Sequence, residues 1–101
     1  MNETTPVACT LTAAGLAAQA GRWERLIARA MTGRAETADG VCLTFRSGPG
    51  TEDELRALVA VEAECCAWAT WAVGLTAGQI VLDVHATAEG IATLHAMFAS
   101  R

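Results

Sequence analysis

Leu55 to Ala69 is the stretch that most constrains the chain. Set on a helix at about 100° per residue, with Leu55 at zero, Leu58 falls near −60°, Val59 near +40° and Ala69 near −40°. These positions make one apolar face. Glu62 falls at about −20° and Cys66 at about +20°, in the middle of it, while Cys65 sits on its edge at about −80°. Glu64 points the other way, at about 180°, and reads as a solvated residue. A helix built only to pack would carry Leu or Ala at position 62. Burying an unpaired carboxylate costs several kcal/mol or keeps it protonated. The conflict between pattern and residue at Glu62, one turn before two adjacent cysteines, is the main functional signal in the sequence.

The rest of the chain supplies the frame. Residues 1–6 read as a loose tail. Val7 to Leu11 can form a short strand, with Val7, Cys9 and Leu11 on one face. Thr12 is a plausible N-cap for a helix to about Met31, with Leu16, Ala20, Trp23, Ile27 and Ala30 as its apolar stripe and Leu26 beside it. Thr32 to Gly40 reads as a polar connection that ends in the turn signal Asp39-Gly40. Val41 to Arg46 alternates, with Val41, Leu43 and Phe45 on one face and Cys42, Thr44 and Arg46 on the other. Thr51-Glu52-Asp53-Glu54 opens the helix described above, with Thr51 and Glu54 matching a capping box. That helix should end near Cys66 to Ala69. Trp71, Val73 and Leu75 alternate as a strand, Thr76-Ala77-Gly78 makes a hairpin loop, and Ile80, Leu82 and Val84 return. The far face of that return strand carries Val81, Asp83 and His85. Thr87 caps a last helix with Ile91, Leu94 and Phe98 as its stripe and His95 beside it.

The order strand, helix, strand, helix, strand, strand, helix predicts one α+β domain over residues 1–101. The expected architecture is a two-layer sandwich, ferredoxin-like in part, with three helices on one face of a small, mainly antiparallel sheet. In this scheme Val7–Leu11 supplies the fourth strand. The other face of the sheet, with Cys42, Thr44, Arg46, Asp83 and His85, is partly open, which favours a homodimer or another covering surface.

Composition narrows the function classes. A chain of 52% hydrophobic and 18% charged residues is not disordered. Its net charge is −4, and all seven basic residues are Arg; without a basic cluster, nucleic acid is not an expected partner. No apolar run approaches the ~18 residues of a membrane span, and Met1 to Thr10 lacks the marks of a signal peptide, so a cytoplasmic location is expected. Four cysteines in a reducing compartment point to metal binding or thiol chemistry rather than disulfides. None forms a Cys-x-x-Cys pair, so neither a zinc ribbon nor a thioredoxin motif is present.

Soft thiolates select soft ions, here Hg(II), Cu(I), trivalent arsenic or Zn. Adjacent cysteines in a regular helix point about 100° apart, but at a fraying helix end both sulfurs can reach one site. The candidate metal-ligating residues are therefore Cys65 and Cys66, with Cys9 as third thiol and Glu62 as a ligand or proton holder. Cys42 alternates away and is the poorer candidate. No organic cofactor is expected. A second reading makes the protein a small thiol enzyme or redox protein, with Cys65 or Cys66 as nucleophile and Glu62 as proton donor or acceptor. A third makes it a dimerising domain whose cysteines are apolar filler. Trp23, Trp68 and Trp71 read as core, the latter two also as shields for the thiols, and His85 and His95 as surface or hydrogen-bonded histidines.

Cys9-Thr10-Leu11-Thr12, Arg22-Trp23 and Glu62-x-x-Cys65-Cys66-Ala67-Trp68 resemble the motifs of a group of short bacterial proteins with a Cys-x-Leu-Thr start and a Glu-x-x-Cys-Cys-aromatic helix end. The resemblance spans most of the chain and implies no mechanism, since the group has no assigned activity. In chemistry alone, two thiols with a carboxylate also resemble the site of alkylmercury lyases, whose length and motif order differ from those here.

Overall fold

A computed structural model describes residues 13–65 and 68–98. Seven elements follow one another: α1 (Ala13–Ala30), β1 (Met31–Thr37), β2 (Gly40–Arg46), α2 (Thr51–Cys65), β3 (Ala69–Thr76), β4 (Gln79–Ala86) and α3 (Ala88–Met97). The four strands form one antiparallel sheet in the order β1-β2-β4-β3. β2, α2 and β3 make a crossover with β4 inserted between its two strands, the split βαβ arrangement of ferredoxin-like folds. Among the described residues, no helix is long and apolar enough to cross a membrane.

Strict alternation on β2 and β4 builds the core. Val41, Leu43 and Phe45 stand opposite Val84, Leu82 and Ile80, and all six are fully or almost fully buried. Leu26, Ile27 and Ala30 of α1, Leu55 and Leu58 of α2, and Leu94 and Phe98 at the end of the chain join them in one cluster. All three helices therefore lie over the same face of the sheet. The other face carries half-buried Cys42, Thr44, Val81 and Asp83, with exposed Thr70, Ala72 and His85. The β3–β4 hairpin closes on Ala77 and Gly78, whose φ values of 47° and 78° are those of a two-residue turn matched to the twist of its strands.

Four expectations need correction. The polar segment after α1 is not a loop: Met31–Thr37 is β1 and takes the outer place beside β2. Its alternation is hidden because the register shifts between Met31 and Gly33, and because Arg34 and Glu36 occupy the helix-side positions opposite Leu43 and Val41. An edge strand tolerates such charges. The fourth strand is thus supplied by β1; Val7–Leu11 lies outside the described residues. The buried line of α1 is also rotated. Leu16 is 44% exposed and Ala20 is exposed, whereas Gln19 is buried together with Trp23, Leu26, Ile27 and Ala30. Glu54 does not complete a capping box with its carboxylate, which turns to Arg22 across the helix pair. Finally, Arg46 does not stay on the open face: its Nη2 donates to the carbonyl of Arg29, 2.9 Å away, at the C-terminal end of α1.

Candidate functional site

α1 is antiparallel to α2, because each runs back along an adjacent pair of antiparallel strands. The contacts follow this direction: Gln19 meets Leu58 and Glu62, while Arg22, nearer the end of α1, meets Glu54, nearer the start of α2. Glu62 is therefore drawn into the seam by the helical phase that its sequence position dictates. It is 4% exposed, flanked on its own helix by the fully buried Leu58. The solvated position assigned to Glu64 is also where the fold puts it.

Two side chains of α1 donate to the Glu62 carboxylate. Gln19 Nε2 lies 2.9 Å and Trp23 Nε1 2.8 Å from Oε2. Neither donor carries a charge. Hydrogen bonds to a charged acceptor contribute about 1.5–3 kcal/mol each, enough to offset much of the burial cost that made position 62 conspicuous. Arg22, on the same helix as these two donors, is engaged elsewhere. Its Nε and Nη2 donate to the two oxygens of Glu54 at 3.1 and 2.9 Å. That fork holds the Glu54 carboxyl below the usual carboxylate range and raises the Arg22 guanidinium.

The sequence marked Glu62 but missed its donors. The pattern places Trp23 in the core, where it is, at 6% exposed; its indole N–H has a second role. Gln19 gives no sign of burial by residue type, because a helical Gln ordinarily faces water. The available signal was its spacing: Gln19 lies four residues before Trp23, so both share one face, and a polar residue there repeats the conflict seen at Glu62.

The aromatic residues frame the seam. The Trp23 ring meets Phe98 edge-on at 5.3 Å and Trp71 at 6.4 Å, and Trp71 meets Phe98 at 6.5 Å. Such pairs add about 0.5–1.5 kcal/mol beyond their buried area. Trp68, 5% exposed, packs against α3, where a Cβ on Gly90 would stand 2.5 Å from its ring. The indole N–H groups of Trp68 and Trp71 are buried without a partner among the described residues.

Of the sequence-derived metal candidates, Glu62 lies among the described residues. Cys65 ends α2, and its side chain lies outside what is described; Cys9 and Cys66 lie outside the described residues. Among the described residues no group of three or more His, Cys, Asp or Glu could hold a metal ion. Cys42 is a free, half-buried thiol on the open sheet face. Burial pushes it up from the usual thiol range, and its hydrogen bond to Asp83, directly opposite on β4, adds to the effect. A thiol held protonated is a poor nucleophile and a poor ligand.

Both histidines have partners. His85 Nδ1 lies 3.0 Å from Asp39 Oδ1, a contact that lowers the Asp39 carboxyl. His95 Nε2 lies 2.9 Å from the carbonyl of Gly40 and 3.3 Å from that of Thr37. Carbonyls only accept, so Nε2 carries the hydrogen, and the ring ties α3 to the β1–β2 turn. Glu62, with Gln19 and Trp23 against it, is thus the buried carboxylate around which a candidate site can be argued. No protein-family model, no curated protein and no solved structure matches this chain.

Proposed function

We propose that this protein captures a soft metal or metalloid ion of the mercury, copper(I), arsenic or zinc class in the cytoplasm. Cys65 and Cys66 are the thiolate ligands, and Cys9 and Glu62 complete the donor set. The observation that carries this reading is Glu62, a carboxylate 4% exposed, one turn before the cysteine pair and held by two uncharged donors. Its donors come from α1, whose start lies at the same end of the antiparallel helix pair as the end of α2, and Cys9 stands four residues before Ala13 in the sequence. This direction supports Cys9 as the third thiol. Thiolates with one carboxylate suit ions that accept few, soft ligands. The raised Cys42 thiol is left out of the set.

The test is titration of the reduced protein with Hg(II), Cu(I), arsenite and Zn(II). Hg(II), Cu(I) and arsenite are followed by thiolate–metal absorbance, and Zn(II) by competition with a chromogenic chelator. Wild type should show saturable binding that the double substitution Cys65→Ser/Cys66→Ser abolishes. No binding by wild type, or equal binding by the double variant, ends the proposal.

A further inference from the structure

The two outer strands of the described sheet are protected unequally. β1 carries Arg34 and Glu36, and its register shifts between Met31 and Gly33. Charges and an irregular register are devices that keep an outer strand from pairing with another chain. β3 has neither. Its eight residues, Ala69–Thr76, hold no charge and no proline, and its register with β4 runs unbroken. Leu75 on it is 62% exposed. Gly74 is exposed too, and exposure of a glycine in mid-strand is exposure of backbone. Nothing among the described residues asks for glycine there: its φ is not in the left-handed region, and a Cβ would meet nothing within 4 Å. A strand glycine with no internal cause suits the close approach of another backbone.

The order of side chains says which backbone. From Thr70 to Thr76, β3 reads hydroxyl, large apolar, small, valine, small, large apolar, hydroxyl, the same in both directions. Trp71, Val73 and Leu75 stand opposite Val84, Leu82 and Ile80, on the helix-covered side, and the residues between them face the open side. An antiparallel copy of β3 centred on Val73 keeps both sides matched. Trp71 of each copy then meets Leu75 of the other, Ala72 meets Gly74, Thr70 meets Thr76, and Val73 meets its own counterpart. We propose that β3 pairs with β3 of a second copy of this chain, joining the two sheets into one across a two-fold axis. The pairing covers exposed Leu75 with an indole and sets no like charges opposite each other. It also pairs hydroxyls at both ends, a favourable cross-strand match. A strand of unrelated sequence would gain the backbone hydrogen bonds but not this matching. Neither thiols nor a metal ion take part.

Sedimentation of the full chain, reduced and in chelator, over a range of concentrations measures the dimer. Wild type should show a reversible monomer–dimer equilibrium. Leu75→Lys puts a charge on an already exposed side chain and should raise the dissociation constant by about tenfold or more. Ala35→Lys, at an exposed position on the open side of β1, should leave it unchanged. A monomer at every concentration overturns the proposal, as does a dimer that Leu75→Lys leaves intact. A dimer weakened by Ala35→Lys and not by Leu75→Lys also overturns it, because the open sheet face is then the interface. Amide exchange in wild type needs no substitution. Every second amide of β3 points away from β4, and its protection should grow with protein concentration. Protection there that does not follow the dimer fraction overturns the pairing.

Discussion

Two carboxylates of α2 face α1, and the molecule treats them differently. Glu54 lies near the open start of the helix pair, with its side chain 32% exposed and that of Arg22 36% exposed, and it takes the guanidinium. Glu62 lies two turns on, 4% exposed, and takes an indole and a carboxamide. The contrast follows from desolvation. A guanidinium at the rim keeps part of its hydration while pairing; pulled into the seam, it would lose that hydration along with the carboxylate's. Neutral donors cost far less to bury and can be fixed by packing, as Trp23 is by Trp71 and Phe98. The rim pair adds a modest, screened contribution. The seam set fixes the orientation of one buried carboxylate, which a site needs and a scaffold does not.

The largest expected effect lies at the seam. Glu62→Ala leaves the Trp23 N–H and one Gln19 hydrogen buried without their acceptor and opens a small void. It should destabilise the metal-free protein by about 2–4 kcal/mol in urea unfolding. Glu62→Gln keeps an acceptor oxygen where Oε2 stood and should cost about 1 kcal/mol. If the two substitutions prove equally mild, Glu62 is not held as described and the contrast with Glu54 collapses. Gln19→Leu comes next, at about 1–2 kcal/mol, because Trp23 remains to bind Oε2.

How far this arrangement was legible in the sequence depends on which residues carried it. The buried phase of Glu62 followed from Leu55 and Leu58 alone, since a helix leaves little freedom once two apolar positions are set. β2 and β4 were equally plain, their alternation imposed by one buried and one open face. β1 was not, because its helix-side positions hold Arg34 and Glu36 and its register shifts near Met31, so the period of two that betrays a strand is absent. The rotation of α1 escaped for a related reason. Leu16 and Ala20 fit the apolar stripe by type, while Gln19, which is buried, fits it only once its partner on another helix is known. Local pattern reports which face is apolar; it does not report a polar pair formed across 43 residues of chain.

At the rim the effects shrink. A double-substitution cycle on Arg22→Ala and Glu54→Ala should give a coupling of about 0.3–1 kcal/mol, since both side chains are about one-third exposed. At 1 M salt, where the screening length is about 3 Å, this coupling should fall toward zero. The loss caused by Glu62→Ala should stay nearly constant there. Equal salt sensitivity at the two positions would mean that solvent reaches the seam.

The smallest effect is one of pH and concerns Glu54 alone. The Arg22 hydrogen bonds hold its carboxyl below the ordinary value of 4.5, with burial opposing and the Arg22 charge assisting. The folded state therefore binds that proton less readily than the unfolded chain. Stability from the pair is complete above the unfolded value and is lost as pH falls through the lowered folded value. Glu54→Gln removes this dependence. The stability difference between wild type and Glu54→Gln should be level above about pH 5 and should narrow progressively as pH drops below the unfolded carboxylate range. Urea unfolding at stepped pH measures it. A difference that stays level into the acid range would show that Arg22 does not hold Glu54 in solution. The rim would then lack the charged pair on which its contrast with the seam depends.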